Sequence, residues 1–324
     1  MTTRHQLIQL LADGAFHSGE SLGEHLGISR AAVWKQIRAL NDLGLDIHAV
    51  RGRGYRLLSA LELLDQENIQ QTISASYSDC LESCEVMQTL DSTSDHLRRT
   101  VIPVQAGRAH ACLAEQQQAG RGRRGRQWVS PYGANLYLSL AWGFDDVPGS
   151  LSGLSLAAGV AVIRALNSIG VPDAGLKWPN DILLHGGKLA GILVDLAGEI
   201  TGPCSVIIGV GVNMKMPAQA ASKIDQRWSD LSDYQDKVSR NKLAAGLLNE
   251  LLGMLHEFSQ HGLSGFLDEW RRYDAIAGQA VSLHTGQGMI QGTVCGIDEQ
   301  GGLQVKSQGK INSYHSGEIS VRIA

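Results

Sequence analysis

Four arginines alternate with three glycines in Gly120-Arg121-Gly122-Arg123-Arg124-Gly125-Arg126. A guanidinium pairs with carboxylate or phosphate oxygens through a planar fork of donors, and glycines let the chain that carries it fold over a ligand. The string contains G-x-G-x-x-G, but a dinucleotide loop must open a helix whose N-terminus faces the pyrophosphate. Here Gln127-Trp128-Val129-Ser130-Pro131 follows instead. A Walker loop is excluded as well, because Gly187-Lys188 precedes Leu189 rather than Ser or Thr, and the first position is Ile182 rather than Gly. The chemistry is therefore that of the arginines. Such a loop should be mobile when empty, close over an anionic ligand and keep water from a reactive intermediate. A nucleic-acid-binding Arg-Gly loop is the blander alternative.

Two further segments supply partners. Lys177-Trp178-Pro179-Asn180-Asp181 ends a loop before a strand, and Gly186-Gly187-Lys188-Leu189 follows closely. A lysine between a Gly pair and an apolar strand is held near a sheet end, where its ammonium can neutralise a carboxylate nucleophile and the phosphate it attacks. In Gly209-Val210-Gly211-Val212-Asn213 the glycines let a ligand approach the strand backbone.

The elements that must hold these groups fall into three parts. In the first sixty residues, Leu7–Leu11 suggest a helix stopped at Asp13-Gly14, Ser18 caps a second ending at Gly27, and Ser29 caps a third. Val33, Ile37 and Leu40 form one buried stripe on that third helix. Ala31, Lys35, Arg38 and Asp42 then lie opposite, with Trp34 on the flank. Ile47–Val50 and Tyr55–Leu58 read as strands joined by Arg51-Gly52-Arg53-Gly54. Beyond Leu61, strand-like runs (Val86–Leu90, Ala111–Gln116, Asn135–Trp142, Ile182–Leu184, Gly191–Leu196, Val206–Val212) are interleaved with helices over Ser152–Ile169, Asn241–Phe258 and Gly265–Tyr273. That mixture argues for an α+β domain with a mixed, largely antiparallel sheet. From Gln279 onward, short strands alternate with turns at Gly286–Gly288, Gly301-Gly302 and Gly309, the pattern of a small SH3-like β-barrel. The expected divisions are residues 1–62, 63–274 and 275–324.

A helix, a Gly-containing turn, a second helix with basic residues outward and a following hairpin make a winged helix-turn-helix. Ser29, Arg30, Ala31, Trp34, Lys35 and Arg38, with Arg51 and Arg53 on the wing, are the candidate DNA contacts. A solvated helix in a small protein-interaction domain is the alternative. Trp34 can pack on the core, stack on a thymine methyl or give the site an unusual preference. One such module reads few base pairs, so useful specificity needs a dimer.

The 324 residues are 43% hydrophobic and 19% charged, ordinary for a globular chain of two or three domains. A net charge of −4 excludes a polycation, so nucleic acid must be met by a local surface. Residues 1–60 carry seven Lys and Arg against five Asp and Glu, a local excess of the right sign. No stretch reads as a signal peptide or membrane span. Five cysteines without a C-x-x-C pair suit a reducing compartment, and the expected location is cytoplasmic. Cys80 and Cys84 are expected to be structural thiols rather than metal ligands.

The strings AGRGRRGR, KWPND, GKLAGIL and GVGVN, in this order and spacing, resemble the bifunctional biotin–protein ligase and biotin-operon repressor family over essentially the whole chain. The resemblance implies a ligase that makes biotinyl-5′-adenylate from biotin and ATP and transfers biotin to a lysine of the biotin carboxyl carrier protein of acetyl-CoA carboxylase. It implies a biotin site at Ser92, Thr93, Ser94, Gln117, Gly120, Arg121, Gly122, Arg123, Lys188 and Gly209, with Lys188 and Arg123 catalytic. It implies nucleotide contacts at Trp128, Asn180, Asp181 and Asn213, with Mg²⁺ as the metal and its protein ligands unassigned. A carboxylate attacking ATP brings two anions together, so catalysis is mainly neutralisation and alignment by Arg123, Lys188 and a hard metal, without a nucleophilic Ser or Cys. The family's Asp-Ser-Thr-Asn is Asp91-Ser92-Thr93-Ser94 here. Ser94 keeps a hydroxyl but loses the amide.

The resemblance further implies that the adenylate is corepressor. It orders the arginine loop, strengthens homodimerisation through the central sheet and pairs two winged modules on operator DNA. Ligand favours the dimer only by its differential affinity for the two states. The alternatives are a DNA-binding, biotin-responsive regulator with weak or no ligase activity, and a lipoate-type ligase, which would lack the arginine loop.

Overall fold

The computed structural model describes residues 2–146, 151–198, 202–234, 238–285, 288–315 and 320–323. Each of the first three helices, α1 (Thr3–Leu11), α2 (Gly19–Leu26) and α3 (Arg30–Asp42), starts at a hydroxyl cap: Thr2, Ser18 and Ser29 accept from the backbone N–H of His5, Ser21 and Ala32. Such caps contribute about 1 kcal/mol each. Gly27 ends α2 at φ 64°, a left-handed conformation that only a residue without Cβ adopts freely. The hairpin β1 (Ile47–Val50) and β2 (Gly54–Leu57) is antiparallel. Its second strand begins one residue earlier than the apolar pattern indicates, because Gly54, at φ 100°, already pairs with Val50. Leu7, Ile8, Leu11, Leu22, Val33, Ile37, Leu40, Leu45 and Leu57 form the core of this module. Tyr132, from the following domain, packs into the same cluster.

Two short helices, α4 (Gln66–Gln71) and α5 (Ala75–Ser78), lead into the central domain. They are polar and brief, and carry no periodicity that could announce them. The sheet orders as β3-β4-β5-β9-β8-β7-β6, with β3 (Leu81–Leu90), β4 (Ala109–Gln117), β5 (Leu136–Phe144), β6 (Gly175–Lys177), β7 (Asp181–Leu184), β8 (Gly187–Gly198) and β9 (Cys204–Val212). Only β3 and β4 run parallel, and they are joined by a crossover containing α6 (Thr93–Thr100). Helices α7 (Leu151–Ser168) and α9 (Arg240–His261) cover one face of the sheet and pack on each other. The short α8 (Ala218–Ala221) lies between β9 and α9, and α10 (Leu267–Arg272) closes the domain after a 3₁₀ turn at Gly262–Phe266. This last pair replaces the single helix expected over Gly265–Tyr273.

The C-terminal part is a five-stranded antiparallel sheet, ordered β13-β12-β11-β10-β14, from β10 (Ala280–Thr285), β11 (Gly288–Ile297), β12 (Leu303–Ser307), β13 (Lys310–Tyr314) and β14 (Ser320–Ile323). Of the turn expected at Gly286–Gly288, residues 286–287 lie outside the described residues. Val281, Leu283, Val294, Ile297, Leu303, Val305 and Val321 belong to one core that is continuous with the central domain.

A buried polar joint ties the winged module's exit to the central domain. Arg240, at the start of α9, pairs with Glu115 of β4 at 2.8 Å, both almost fully buried, and donates to the carbonyls of Glu62 and Asn135. Glu115 accepts from Leu64 N, and Glu62 accepts from Ser239, Arg240 N and Asn241. Removing one partner of such a pair typically costs about 3–5 kcal/mol, since the other charge stays buried.

Candidate active site and nucleic-acid face

The open face of the central sheet, the arginine loop and the edge of the C-terminal sheet enclose a cleft of about 1090 Å³. That volume suits an extended ligand or two smaller ones. Basic groups outnumber acidic ones along its walls, nine (Arg121, Arg123, Arg124, Arg126, Lys177, Lys188, Arg227, Arg272, Arg322) to four (Asp173, Asp181, Asp225, Asp274). In a chain of net charge −4 this is a focused anion site.

Strand alternation decides what faces the cleft. On β9, Val210 and Val212 point to the core, so Gly209 and Gly211 present bare backbone on the other side. Cross-strand partners Ser139 on β5 and Gly191 on β8 lie on that same face. A Cβ at Gly209 would come within 2.8 Å of the Ser94 hydroxyl, and one at Gly211 would collide with the Trp128 indole.

One end of the cleft is a cluster of buried hydroxyls. Ser92 caps α6, which places Thr93 and Ser94 in its first turn. Thr93 donates its backbone N–H to Gln117 Oε1 at 2.9 Å, and both its hydroxyl and that of Ser94 meet Ser139 Oγ, at 2.7 and 2.9 Å. Gln117 Nε2 donates to Ser130. Buried donors and acceptors at such density suit a ligand head that both donates and accepts.

The other end carries charge. Lys188 Nζ lies 2.6 Å from Asp181 Oδ1 and 5.4 Å from the centroid of the Trp128 ring. Gly187 is required before it, because a Cβ there would strike the Trp228 carbonyl. Arg123 donates to Asn180 Oδ1 at 3.1 Å, and Asn180 Nδ2 to Ile192 O. Burial, with Arg124 beside it, pushes the Arg123 guanidinium below its ordinary value. Burial does the same to Lys177, which shares the cleft with Lys188, Arg126 and Arg322. Both are cations held out of water, and both gain from an anion. Trp128 Nε1 is buried without a hydrogen-bond partner.

The loop is more restrained than four arginines among three glycines suggest. Arg121 pairs with Asp95 and Asp195, each at 2.8 Å, and Gly122 N donates to Arg126 O. Gly120 stands behind the wall rather than in it. Its carbonyl accepts from Trp128 N, and a Cβ there would crowd Ser130. Asn213 also misses the cleft wall. It is 4% exposed, and its amide donates to the carbonyls of Lys188 and Ser229, fastening the start of β8. The other expected residues, Ser92, Thr93, Ser94, Gln117, Arg121, Gly122, Arg123, Lys188, Gly209, Trp128, Asn180 and Asp181, line one cavity. Ser139, Lys177 and Arg322 line it too; of these only Lys177 was named from sequence, as the first residue of KWPND and without a role of its own. Ser139 had a weaker signal, as the one serine in the apolar run Leu136–Phe144, and Arg322 had none. Among the described residues no group of three or more His, Cys, Asp or Glu is placed to hold a metal ion, Cys80 and Cys84 included.

On the N-terminal module, Val33, Ile37 and Leu40 face inward, and Arg30, Ala31, Trp34, Lys35 and Arg38 are exposed. Ser29 is engaged as the cap. Arg51 and Arg53 are exposed at the hairpin's turn. Trp34 is 51% exposed, so it does not pack on the core.

Comparison with known proteins accounts for the chain end to end. Residues 86–213 match the Biotin/lipoate A/B protein ligase family, residues 3–56 an HTH domain and residues 276–322 the Biotin protein ligase C terminal domain. The bifunctional ligase/repressor BirA of Salmonella typhimurium is 42% identical over 318 residues, covering 98% of this chain and 97% of that protein. The chain belongs to the bifunctional biotin ligase/repressor family. The Escherichia coli member is likewise 42% identical, over 319 residues, with the same two coverages. Among solved structures, a biotin protein ligase from Aquifex aeolicus in complex with biotin and ATP aligns with a TM-score of 0.64 at 27% identity. It covers 75% of this chain and 100% of its own. The resemblance read from AGRGRRGR, KWPND, GKLAGIL and GVGVN is thereby borne out, as is the helix-turn-helix in front. No described helix is long and apolar enough to cross a membrane.

Proposed function

We propose that this protein is an ATP-dependent biotin–protein ligase that also represses transcription, with biotinyl-5′-adenylate as the shared ligand. The observation that carries the reading is one cleft with a buried hydroxyl cluster at one end and a cationic wall at the other. Ser92, Thr93, Ser94, Gln117 and Ser139 receive the ureido head of biotin, with Arg121 beside it and Gly120 supporting the wall from behind. The valeryl chain crosses the bare backbone of Gly209, which brings its carboxylate to Lys188 and Arg123. These cations neutralise two approaching anions and align the carboxylate oxygen with the α-phosphorus of ATP, from which pyrophosphate leaves. Trp128, Asn180 and Asp181 hold the nucleotide. Asn213 acts as a positioning residue, fixing the strand that carries Lys188.

Mg²⁺ is held by one or two carboxylates together with substrate phosphates and water. Asp181, the cleft carboxylate that lies beside Lys188, would fit that requirement, and the ion would add Lewis acidity at the phosphates. In the second half-reaction a carrier lysine attacks the mixed anhydride and AMP leaves. The carrier domain of acetyl-CoA carboxylase is the acceptor, and operator DNA is met by α3 and the hairpin of a ligand-linked homodimer. Residues 1–62, 63–274 and 275–324 are taken as the functional units, the last as an SH3-like barrel bent at the irregularity between Val294 and Gly296.

A regulator without ligase activity would have no use for Lys188 and Arg123 in one charged cleft. Biotin-dependent exchange of pyrophosphate into ATP separates the readings. A ligase exchanges, whereas a dead regulator or a lipoate-type enzyme does not. A gel shift that needs both biotin and ATP tests the repressor half, and equal shifts with and without them would contradict it.

A further inference from the structure

Six of the seven Lys and Arg residues in the first sixty lie on α3 or the hairpin: Arg30, Lys35, Arg38, Arg51, Arg53 and Arg56. Three of these arginines are held on aromatic rings. The guanidinium carbon of Arg38 is 5.0 Å from the Trp34 ring centroid, one helical turn away. Those of Arg53 and Arg56 lie 4.1 and 4.9 Å from the ring of Phe16, in the loop between α1 and α2.

The two aromatic supports stand on one surface. Phe16 precedes His17, whose backbone exchanges two hydrogen bonds with Tyr55 of β2. Gly19 touches both neighbours, since a Cβ there would lie 3.4 Å from Arg30 Cγ and 3.4 Å from Tyr55 Cε2. Arg30 is one turn before Trp34 on α3. The surface therefore runs from Arg38 and Trp34 through Arg30 and Tyr55 to Phe16 with Arg53 and Arg56.

We propose that Trp34 and Arg38 form one base-reading unit, Arg38 reading a guanine and the indole taking the methyl of an adjacent thymine, while Phe16 holds Arg53 and Arg56 for the backbone. This rests on the DNA-binding reading above. With its guanidinium carbon 5.0 Å from the indole centroid, Arg38 is restrained beside Trp34 on an exposed helix face, and a guanidinium so placed offers the fork of N–H donors that matches guanine O6 and N7 in the major groove. Trp34 is 51% exposed, so the indole surface that Arg38 does not cover is left for an apolar group of the DNA. The thymine C5-methyl is the apolar group the major groove offers. Acidic residues are fewer than basic ones here: Glu20 and Glu24 are exposed on α2, and no ion pair joins them to the basic groups of this surface among the described residues. Asp42 sits at the far end of α3, and Asp13, which pairs with His17, lies on the loop that carries Phe16. The two ring-held groups differ in task. Arg38 and Trp34 lie on the helix that enters the groove, whereas a hairpin beside it reaches the sugar–phosphate backbone.

The test uses the full chain with biotin and ATP, selecting from random duplexes with wild type, Trp34→Ala, Arg38→Ala and Phe16→Ala. Biotin–pyrophosphate exchange in each variant should be unchanged and serves as the folding control. Wild type should enrich half-sites with a guanine beside a thymine. Arg38→Ala should lose the guanine preference, weakening the selected site roughly 5- to 150-fold. Replacing that thymine by deoxyuridine should weaken wild type and leave Trp34→Ala unaffected. Phe16→Ala should weaken all duplexes alike and lower the salt slope by about one or two. The assignment is overturned if Trp34→Ala enriches the same sequence as wild type, or if deoxyuridine weakens both proteins equally. A wild-type chain that enriches nothing overturns the DNA-binding reading and this assignment together.

Discussion

Lys188 Nζ lies 2.6 Å from Asp181 Oδ1, and both side chains are less than one-fifth exposed. The ammonium at the start of β8 is thus paired with the carboxylate at the start of β7, across two adjacent strands. In the reaction proposed above, an incoming phosphate would compete with Asp181 for that ammonium, and the displaced carboxylate would become available to a cation. Lys188→Ala should therefore lower adenylate formation by about 10²-fold or more, the effect of removing one preorganised electrostatic group. Single-turnover formation of the adenylate measures it, and a wild-type rate would remove Lys188 from the reaction.

Arg123 reaches from the loop to Asn180 on the opposite wall, so it closes the cleft as well as charging it. Arg123→Gly removes that closure and leaves a more mobile loop. The intermediate should escape, and biotin should appear on lysines of unrelated proteins added to the reaction. Labelling confined to the carrier, as in wild type, would contradict this role.

What was legible in the sequence follows from where the signal lies. Capped helices with a single apolar stripe, as in Ser29 to Leu40, announce themselves through short-range chemistry. The runs around Lys188 and Gly209 read as strands near a ligand because glycines interrupt apolar alternation. The strands proved longer than their apolar cores. β8 starts at Gly187 instead of Gly191, since ladder pairing continues through Lys188 opposite Leu183. Arg322 joined the cleft unannounced, because only tertiary folding brings β14 to the segment that begins at Lys177. Asn213, a polar residue beside ligand-facing glycines, has an amide that donates to the carbonyls of Lys188 and Ser229, a strand-end contact that sequence spacing does not reveal.

Glu62 gives a pH dependence whose sign is fixed. Burial pushes its carboxyl up, but donors from Ser239, Asn241 and the backbone of Arg240 and Asn241 outweigh this and hold it below its usual 4.5. A carboxyl lowered in the folded state contributes stability above its unfolded value, and that contribution is lost as pH falls through the folded one. Wild type should therefore lose stability below about pH 4.5 more steeply than Glu62→Gln. Urea midpoints measured from pH 7 to pH 3 test this, and parallel curves would contradict it.

The thiols should divide by burial. Desolvation pushes Cys84 and Cys112 up to about 12, so neither forms thiolate at neutral pH, whereas Cys295 is exposed. Native protein treated with a thiol reagent at pH 7.5 should react fast at Cys295, with Cys84 and Cys112 modified only after denaturation. Rapid modification of either buried thiol would contradict the packing of β3 against β4.

In the proposed reaction, cationic side chains of one loop and one strand bring a vitamin carboxylate and a nucleotide phosphate together. The most direct measurement is mass analysis of the small molecules retained by purified protein after incubation with biotin, ATP and Mg²⁺. Wild type should retain stoichiometric biotinyl-5′-adenylate, discharged when carrier protein is added. Recovery of only unreacted biotin and ATP would contradict it.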